Sequence, residues 1–250
     1  MNNFIKLCAF VLTAVVILCC FCGCQKEEPA KILKTYAIAV DTELPFSAAS
    51  QFEGIQGVEL NLLDAIARDQ NLSYSPLNIN ESAAADLKNK TVDAAMAMLE
   101  INETNKKSFD FSDAYFEDGY IFCVSKNSAA QTAEELLKGK IGIVANSKAE
   151  AFLYTLTSNP NTVVFDNKAD MYSAIQKNEI PAGFYEYMGV KYDIKAGVAL
   201  KTVGEKTGSI PYGLAVLKGK NKKLITLFNQ GLENIKSSGK YDEIIDVYFK

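Results

Sequence analysis

Histidine and tryptophan are absent from the 250-residue chain, and five of its six cysteines lie within the first 24 residues. Without histidine the chain cannot form a Ser-His-Asp triad, a Cys-His pair or a histidine-ligated metal site. Its 26 basic and 30 acidic residues include no basic stretch of the kind that binds nucleic acid. Most common hydrolase mechanisms are therefore excluded, and we expect no nucleic-acid partner, no metal and no cofactor.

Cys123 is the one cysteine outside the N-terminal segment, and it lies in the apolar stretch Tyr-Ile-Phe-Cys-Val. A single cysteine in the folded body has no partner there, so we predict no disulfide. Its apolar neighbours indicate a buried small hydrophobic residue rather than a reactive thiol.

The N-terminal segment carries an almost unbroken apolar run from Leu7 to Phe21. This run is short for a membrane span and is typical of a signal-peptide core. It ends at Gly23-Cys24, directly before a charged segment, in a pattern that resembles a bacterial lipobox with Phe21 at the usual leucine position. We predict a lipoprotein signal peptide at residues 1–23, lipidation of Cys24 and extracytoplasmic attachment to the cell membrane. An ordinary secretory signal or an uncleaved anchor is the alternative.

Strand and helix signals alternate along the chain after a polar tether at residues 24–34, a pattern typical of an α/β fold with crossover helices. The predicted strands cover residues 36–40, 72–77, 92–96, 120–124, 140–144, 163–165, 182–185, 199–203 and 212–217. The predicted helices follow Gly57 and cover residues 82–89, 171–176, 224–235 and 241–249. Capping boxes at residues 132–135 and 147–150 mark two more helix starts.

The most informative stretch is residues 92–115, which read VDAAMAMLEINETNKKSFDFSDAY. It predicts a short strand, a polar turn, one helical turn, a second strand and a new helix starting at Asp113. It resembles the ligand-binding core of the amino-acid-binding, type II periplasmic family of bacterial extracellular solute-binding proteins, whose run is DAI-x-x-G-x-T-x-T-x-x-R-x-x-x-x-x-F-S-x-P-Y. Further landmarks in the same order are KGKIG at residues 138–142, YGLAV at 212–216 and SGKYDEI at 238–244.

The resemblance covers about residues 35–250 and implies a two-lobed type II periplasmic-binding-protein fold with mixed sheets, helices on both faces and two hinge crossings. Lobe 1 is expected at residues 35–119 and 211–250, and lobe 2 at residues 120–210. The crossings are expected near residues 117–120 and 208–212.

In open α/β sheets, ligands bind at the carboxyl ends of strands, and the resemblance assigns roles to several residues there. It implies a stacking aromatic near Leu44 or Phe46, a second stacking position near Asn80, and an acid for the ligand amine at Glu186. Residues 146–147 would offer amides and a hydroxyl to the ligand carboxylate. The full predicted ligand-binding set is Asp41, Glu43, Phe46, Asn80, Met98, Glu100, Asn105, Asn146, Ser147 and Glu186.

The usual arginine that grips a ligand carboxylate is replaced by Asn105, and Met98 and Glu100 stand where relatives often carry serine or threonine. Losing a charge-assisted clamp removes roughly 1.5–3 kcal/mol per hydrogen bond. Lys106, Lys107 and Lys148 are alternative cations, each interpreted here as a solvated surface charge. We therefore expect a small polar ligand that carries an amine and need not carry an α-carboxylate.

The resemblance implies a monomeric, non-enzymatic, membrane-anchored binding protein that delivers a small solute to an ABC importer. Three alternatives stay open at this point. The chain could be a dehydratase on the same fold, although such substrates are polyanionic and call for pocket cations. It could be a ligand receptor for a separate membrane sensor. It could also have lost ligand binding altogether.

Overall fold

A computed structural model describes residues 34–41, 45–46, 48–50 and 54–250. The predicted signal peptide, Cys24 and all of the tether except Lys34 lie outside these described residues, as do Glu43 and Leu44. Residues Thr35–Lys250 form one compact unit. Within the described ranges, no helix combines the length and apolar character needed to cross a bilayer.

The elements alternate as predicted. The first part of the chain contains β1 (Tyr36–Val40), β2 (Ala48–Ser50), β3 (Gly54–Gln56), α1 (Val58–Asp69), β4 (Tyr74–Asn78), α2 (Ala83–Asn89), β5 (Ala94–Met96), a 3-10 turn (Asn105–Lys107) and β6 (Phe109–Ser125). The rest contains α3 (Ala133–Leu137), β7 (Ile141–Val144), α4 (Lys148–Leu156), β8 (Thr162–Phe165), α5 (Lys168–Gln176), β9 (Ala182–Glu186), α6 (Tyr187–Lys195), β10 (Leu200–Leu217), α7 (Lys222–Ser237) and α8 (Lys240–Phe249).

Both predicted capping boxes are confirmed as helix starts. The Thr132 side chain accepts a hydrogen bond from the Glu135 amide at the start of α3, and the Ser147 side chain accepts one from the Glu150 amide at the start of α4. Such caps satisfy amides that have no partner inside the helix.

Eight strands form one mixed sheet in the order β4-β1-β5-β10-β6-β9-β7-β8. At one end, β1 runs parallel to β4 and β5, and at the other β7 runs parallel to β8 and β9. The two long strands β6 and β10 run antiparallel to each other in the middle. Strands β2 and β3 form a separate two-stranded antiparallel sheet.

Helices cover both faces of the sheet, as expected. Ile38 and Val40 of β1 belong to a hydrophobic cluster that includes buried residues of α1, α7 and α8. Ala39, which points to the opposite face, belongs to a second cluster with Ala83 and Leu87 of α2. The alternation follows from the two-residue repeat of a strand, so a strand buried on both faces is apolar throughout.

The long strands β6 and β10 pair with each other, and each has one further neighbour in the sheet. Ala215, near the end of β10, lies opposite Ala95 of β5, whereas residues 120–123 of β6 pair with β9. Glu117 lies opposite Pro211, Asp118 opposite Ile210 and Tyr120 opposite Thr207, with one register shift between Thr207 and Ile210 and others on either side. The two segments predicted as crossings therefore lie side by side.

Two local predictions are wrong, and one helix was not predicted. No helix starts at Asp113, because residues 109–116 continue as a strand that pairs with β10, and the Ser112 hydroxyl accepts a hydrogen bond from the Leu214 amide (2.9 Å). Residues 199–203 and 212–217 are two ends of one strand, β10, rather than two strands. Helix α6 was not predicted. Its Met188 amide donates to Asp118, 70 positions earlier in the chain (3.0 Å), a contact that no local pattern could indicate.

Cys123 is fully buried in β6, as predicted. Burial raises the pKa of its thiol to about 12, which keeps it protonated and unreactive at neutral pH.

Candidate functional site

A cavity of about 310 Å³ lies where β1, β5 and β9 end. It is next to the paired segments of β6 and β10 that were predicted as the crossings between lobes, residues 117–120 and 208–212, and this paired region is called the crossing below. Asp41 directly follows β1, Met98 follows β5 by two positions and Glu186 is the last residue of β9. Asp118 and Tyr212 reach the cavity from the two long strands. The described residues that line it are Asp41, Pro45, Phe46, Met98, Asp118, Lys168, Tyr185, Glu186, Gly189 and Tyr212. Its volume falls at the low end of the range for small-molecule sites.

Asp118 is a carboxylate held in place by backbone amides. Its side chain is only 2% exposed, and Oδ1 accepts hydrogen bonds from the amides of Gly119 (2.8 Å) and Met188 (3.0 Å). Burial raises the pKa of Asp118 to about 6, while the two amide hydrogen bonds act in the opposite direction. A nearby negative charge on Glu186 also raises this pKa. Ionisation of Asp118 in the cavity would be favoured by a cationic group on a ligand.

Glu186 is the second mostly buried carboxylate of the cavity. No described residue donates a hydrogen bond to its Oε2 atom, which is buried. Burial raises the pKa of Glu186, while the Ala149 amide at the start of α4 and the charge on Lys148 lower it. A buried carboxylate oxygen without a donor is costly unless a ligand satisfies it.

A third acid, Glu59, lies beneath the cavity floor. Its side chain is fully buried, and Oε1 accepts hydrogen bonds from the Tyr115 hydroxyl and from the Met98 amide (2.9 Å). Met98 has a left-handed backbone conformation, with φ of 48°. Residues other than glycine adopt this left-handed backbone conformation at an energetic cost. The hydrogen bonds from the Met98 amide to Glu59 and Tyr115 hold this strained residue in the cavity wall.

The cavity contains one lysine among its described lining residues, Lys168, and this lysine is already paired. Its Nζ lies 2.8 Å from Oδ2 of Asp193, a side chain that is 15% exposed. The Tyr172 hydroxyl donates to the same oxygen (3.1 Å). The Lys168 charge is therefore directed toward Asp193, and the described cavity retains an excess of carboxylates.

At the rim, an ion pair joins the loop after β5 to the start of α4. Glu100 Oε2 lies 2.8 Å from Nζ of Lys148, and Glu100 forms a backbone bridge to Tyr212. The same Nζ lies 5.8 Å from the centre of the Tyr212 ring, within the range of a cation–π contact. Lys148 is thus an exposed lysine, as the sequence indicated, and it is also paired with Glu100.

The structure brings four predicted residues together in the cavity: Asp41, Phe46, Met98 and Glu186. Glu100 lies at the rim, and Asn146 and Ser147 precede α4, where the Asn146 amide donates to Oε2 of Glu150 (2.7 Å).

Two predicted residues are placed elsewhere. Asn105 Nδ2 donates to the carbonyl oxygen of Glu100 (2.8 Å), so this amide braces the rim loop. Asn80 lines a separate cavity beside α2 and hydrogen-bonds to Asp86. Glu43 lies outside the described residues.

Six lining residues were not in the predicted ligand-binding set: Pro45, Asp118, Lys168, Tyr185, Gly189 and Tyr212. Asp118 and Tyr212 fall within the two segments identified as crossings, and a crossing beside a cleft was the one available signal. Lys168 begins α5 and has no local feature that distinguishes it from other helix-start lysines.

Comparisons with known proteins agree with this geometry. The ABC transporter glutamine-binding protein GlnH of Bacillus subtilis (strain 168) is 29% identical over 226 residues, which cover 86% of this chain and 80% of GlnH. The GlnP substrate binding domain 2 of Lactococcus lactis, in its open conformation, has a TM-score of 0.78 at 28% identity, covering 89% of this chain and 97% of that one. An ancestral arginine-binding protein bound to glutamine has a TM-score of 0.59 at 27% identity, covering 86% and 97%.

The family profile described as bacterial extracellular solute-binding proteins, family 3, matches residues 36–250, which is nearly all of the compact unit. The chain therefore belongs to family 3 of the bacterial extracellular solute-binding proteins, a family of binding proteins rather than enzymes.

Proposed function

We propose that this chain captures an amine-bearing, amino-acid-like solute outside the cytoplasm and delivers it to an ABC importer. The observation that carries the proposal is the cavity itself, where Asp41, Asp118 and Glu186 face a space of about 310 Å³. Phe46, Tyr185 and Tyr212 supply aromatic surface in the same cavity. Carboxylates that are largely removed from water attract a cation strongly, and aromatic faces add to this attraction. The dehydratase alternative is dropped because the family is not enzymatic.

The proposed ligand class agrees with the names of relatives. GlnH is described as the glutamine-binding protein of an ABC transporter, and the ancestral arginine-binding protein was solved with glutamine bound. Both names concern α-amino acids, which carry the ammonium group that the acidic cavity favours. We propose that the present chain likewise binds an α-amino acid and that its partner is an ABC permease.

We further propose that the solute lies between two lobes, residues 35–119 with 211–250 and residues 120–210. Among the described strands, only β6 and β10 run from one proposed lobe into the other, β10 pairing with β5 on one side and β6 with β9 on the other, which supports a hinge between these contacts. The chain also matches the open GlnP domain more closely than the glutamine-bound ancestral protein, although both are nearly equally identical in sequence. This difference supports an open arrangement that closes over its ligand.

The test is isothermal titration of the protein with free amino acids and with their N-acetyl derivatives. Acetylation removes the ammonium charge, so we expect free histidine, arginine or glutamine to bind and the matching acetyl derivatives to show no measurable binding. Glu186→Gln should weaken binding of the free amino acid, whereas Glu103→Gln, at a side chain that is 89% exposed, should not. Equal binding of free and acetylated forms, or no binding of any amine-bearing solute, would contradict the proposal.

The pH dependence provides a second readout. The ionised form of Asp118 attracts the ammonium group, and its pKa is about 6, so affinity should fall as the pH is lowered from 7 to 5. Asp118→Asn should weaken binding at pH 7 and reduce this pH dependence. Retention of the full pH dependence in the variant would remove Asp118 from the proposed set of ligand contacts.

A further inference from the structure

We propose that Lys148 provides the positive charge that holds the carboxylate of the ligand, so that the preferred solute is a zwitterionic amino acid rather than a simple amine. This inference rests on the proposed function, because it assigns a second contact within the same site. It also offers a physical replacement for the arginine whose position is taken by Asn105.

The Lys148 ammonium lies at the cavity rim and faces three groups of the site. It is 2.8 Å from Oε2 of Glu100 and 5.8 Å from the centre of the Tyr212 ring, and its charge influences Glu186. Tyr212 and Glu186 both line the cavity. A carboxylate that enters above Tyr212 would therefore come within reach of this ammonium group.

The other lysines near the cavity have partners of their own. Lys168 pairs with Asp193, which is only 15% exposed. Lys106, on the 3-10 turn, pairs with Glu103, and neither of these two residues lines the cavity. Lys206 donates to the carbonyl oxygens of Glu117 (2.7 Å) and Asp118 (3.5 Å). Among the described lysines, Lys148 is the one whose ammonium lies at the cavity rim against the ring of a lining residue, Tyr212.

The Glu100–Lys148 pair can accommodate a second anion. An ammonium group has three N–H donors, and Glu100 uses one of them in the contact observed. The Lys148 side chain is 55% exposed, and ion pairs this exposed contribute little to stability, so reorientation toward a ligand costs little.

The start of α4 alone is less suited to the carboxylate. The Ala149 amide is engaged by Glu186, and the Glu150 amide donates to Oγ of Ser147 (3.0 Å). Two of the amides that a helix start could offer to an anion are therefore occupied. The geometry points to a ligand whose ammonium faces Asp118 and Glu186 and whose carboxylate faces the Lys148 side chain.

The experiment compares amino acids with the amines formed by removing their carboxylate, namely histidine with histamine and arginine with agmatine. Titrations use the full chain in a mild detergent, as wild type, Lys148→Gln and Lys148→Arg. We expect Lys148→Gln to weaken binding of the amino acid by about tenfold to a hundredfold, the range for one charge-assisted hydrogen bond, while binding of the amine changes less than about twofold. Lys148→Arg, which keeps the charge, should restore most of the lost affinity.

The matched control is Lys106→Gln, another exposed lysine in an ion pair with a glutamate, at 3.0 Å. It should leave both affinities unchanged. Equal weakening of amino acid and amine by Lys148→Gln, or no weakening of either, would overturn the role of Lys148 while leaving the proposed function intact. Absence of binding to every amino acid and amine in the wild type would overturn the proposed function and this inference together.

Discussion

At the scale of single residues, Glu59 shows how a buried acid can support a binding site without lining it. Its carboxyl is completely buried, and its Oε1 atom receives the Tyr115 hydroxyl and the Met98 amide. No described residue donates to its Oε2 atom. Burial, which outweighs these hydrogen bonds, raises the pKa of Glu59 from 4.5 to about 7. The folded protein therefore favours the protonated carboxyl of Glu59 below about pH 7.

This raised pKa predicts a specific pH dependence of stability. Below pH 4.5 the carboxyl is protonated in both states, whereas between about 4.5 and 7 only the unfolded state releases the proton. The free energy of unfolding should therefore fall by about 3 kcal/mol as pH rises through this window, because the folded state holds a proton that the unfolded state has released. Glu59→Gln, which cannot ionise, should remove this part of the dependence. Urea denaturation at about pH 4.5 and pH 8 measures it.

Asp118 contributes in the same direction, with a pKa of about 6, so the Glu59→Gln variant should retain a smaller dependence on pH. The exposed-acid variant Glu103→Gln serves as control and should follow the wild type. If Glu59→Gln lost stability equally at both pH values, the carboxyl would act through its shape and hydrogen bonds rather than through its ionisation.

Two of the acids in the cavity, Asp41 and Glu186, could be predicted from their positions at strand ends, but the third, Asp118, could not. Asp41 and Glu186 each adjoin a strand, so the rule for open α/β sheets identified both. Asp118 lies inside a 17-residue strand and becomes a cavity residue because β6 passes beside the end of β9. No local pattern around residue 118 records that neighbour.

At the scale of elements, the crossing of β6 and β10 depends on close backbone contact at Gly119. A Cβ atom at this position would lie 2.7 Å from the carbonyl oxygen of Thr207 and 2.8 Å from that of Gly208. Both oxygens belong to the backbone of β10, so they cannot turn away as a flexible side chain would. The approach of the two strands at the crossing therefore requires glycine.

We predict that Gly119→Ala destabilises the protein by about 1–3 kcal/mol, the usual cost of forcing extra atoms into a packed region. The strand pair would have to separate locally at the proposed hinge. Denaturant unfolding measures the loss. Gly139→Ala is the matched control, since its nearest contacts, at 3.5 and 3.6 Å, are ordinary ones, and it should change stability little. Equal stability of both variants would show that the crossing tolerates a side chain.

Elements with local signals were predicted well, and those that depend on distant partners were not. The apolar run of β1 and the side-chain caps of α3 and α4 can be read from a few neighbouring residues. Helix α6 has no side-chain cap of its own at Glu186, and the Met188 amide in its first turn is satisfied by Asp118 instead. Its start is therefore stabilised by tertiary structure, which explains why the sequence pattern did not reveal it.

At the scale of the whole molecule, the proposed attachment to the membrane depends on Cys24, outside the described residues. We predict that Cys24→Ser shifts the protein from the membrane fraction to the soluble fraction. Each buried methylene of an acyl chain contributes about 0.8 kcal/mol to membrane binding, so loss of the lipid should dominate partitioning. Fractionation followed by mass measurement of the N-terminus checks this.

Cys22→Ser is the control, because Cys22 lies two positions earlier in the same segment. It should leave both the lipid mass and the membrane fraction unchanged. Loss of the lipid in Cys22→Ser, or a lipid mass that persists in Cys24→Ser, would contradict lipidation at Cys24.

The order of strands and helices, the acids at strand ends and the absence of histidine chemistry follow from local patterns in the chain. These features depend on short-range periodicity and residue type, which the linear sequence records directly. The joining of two predicted strands into β10, the placement of Asp118 and Tyr212 in the cavity and the pairing of Lys148 with Glu100 depend on residues far apart in sequence. Folding brought these groups together through packing, and packing also set the burial that raises the pKa values of Glu59 and Asp118.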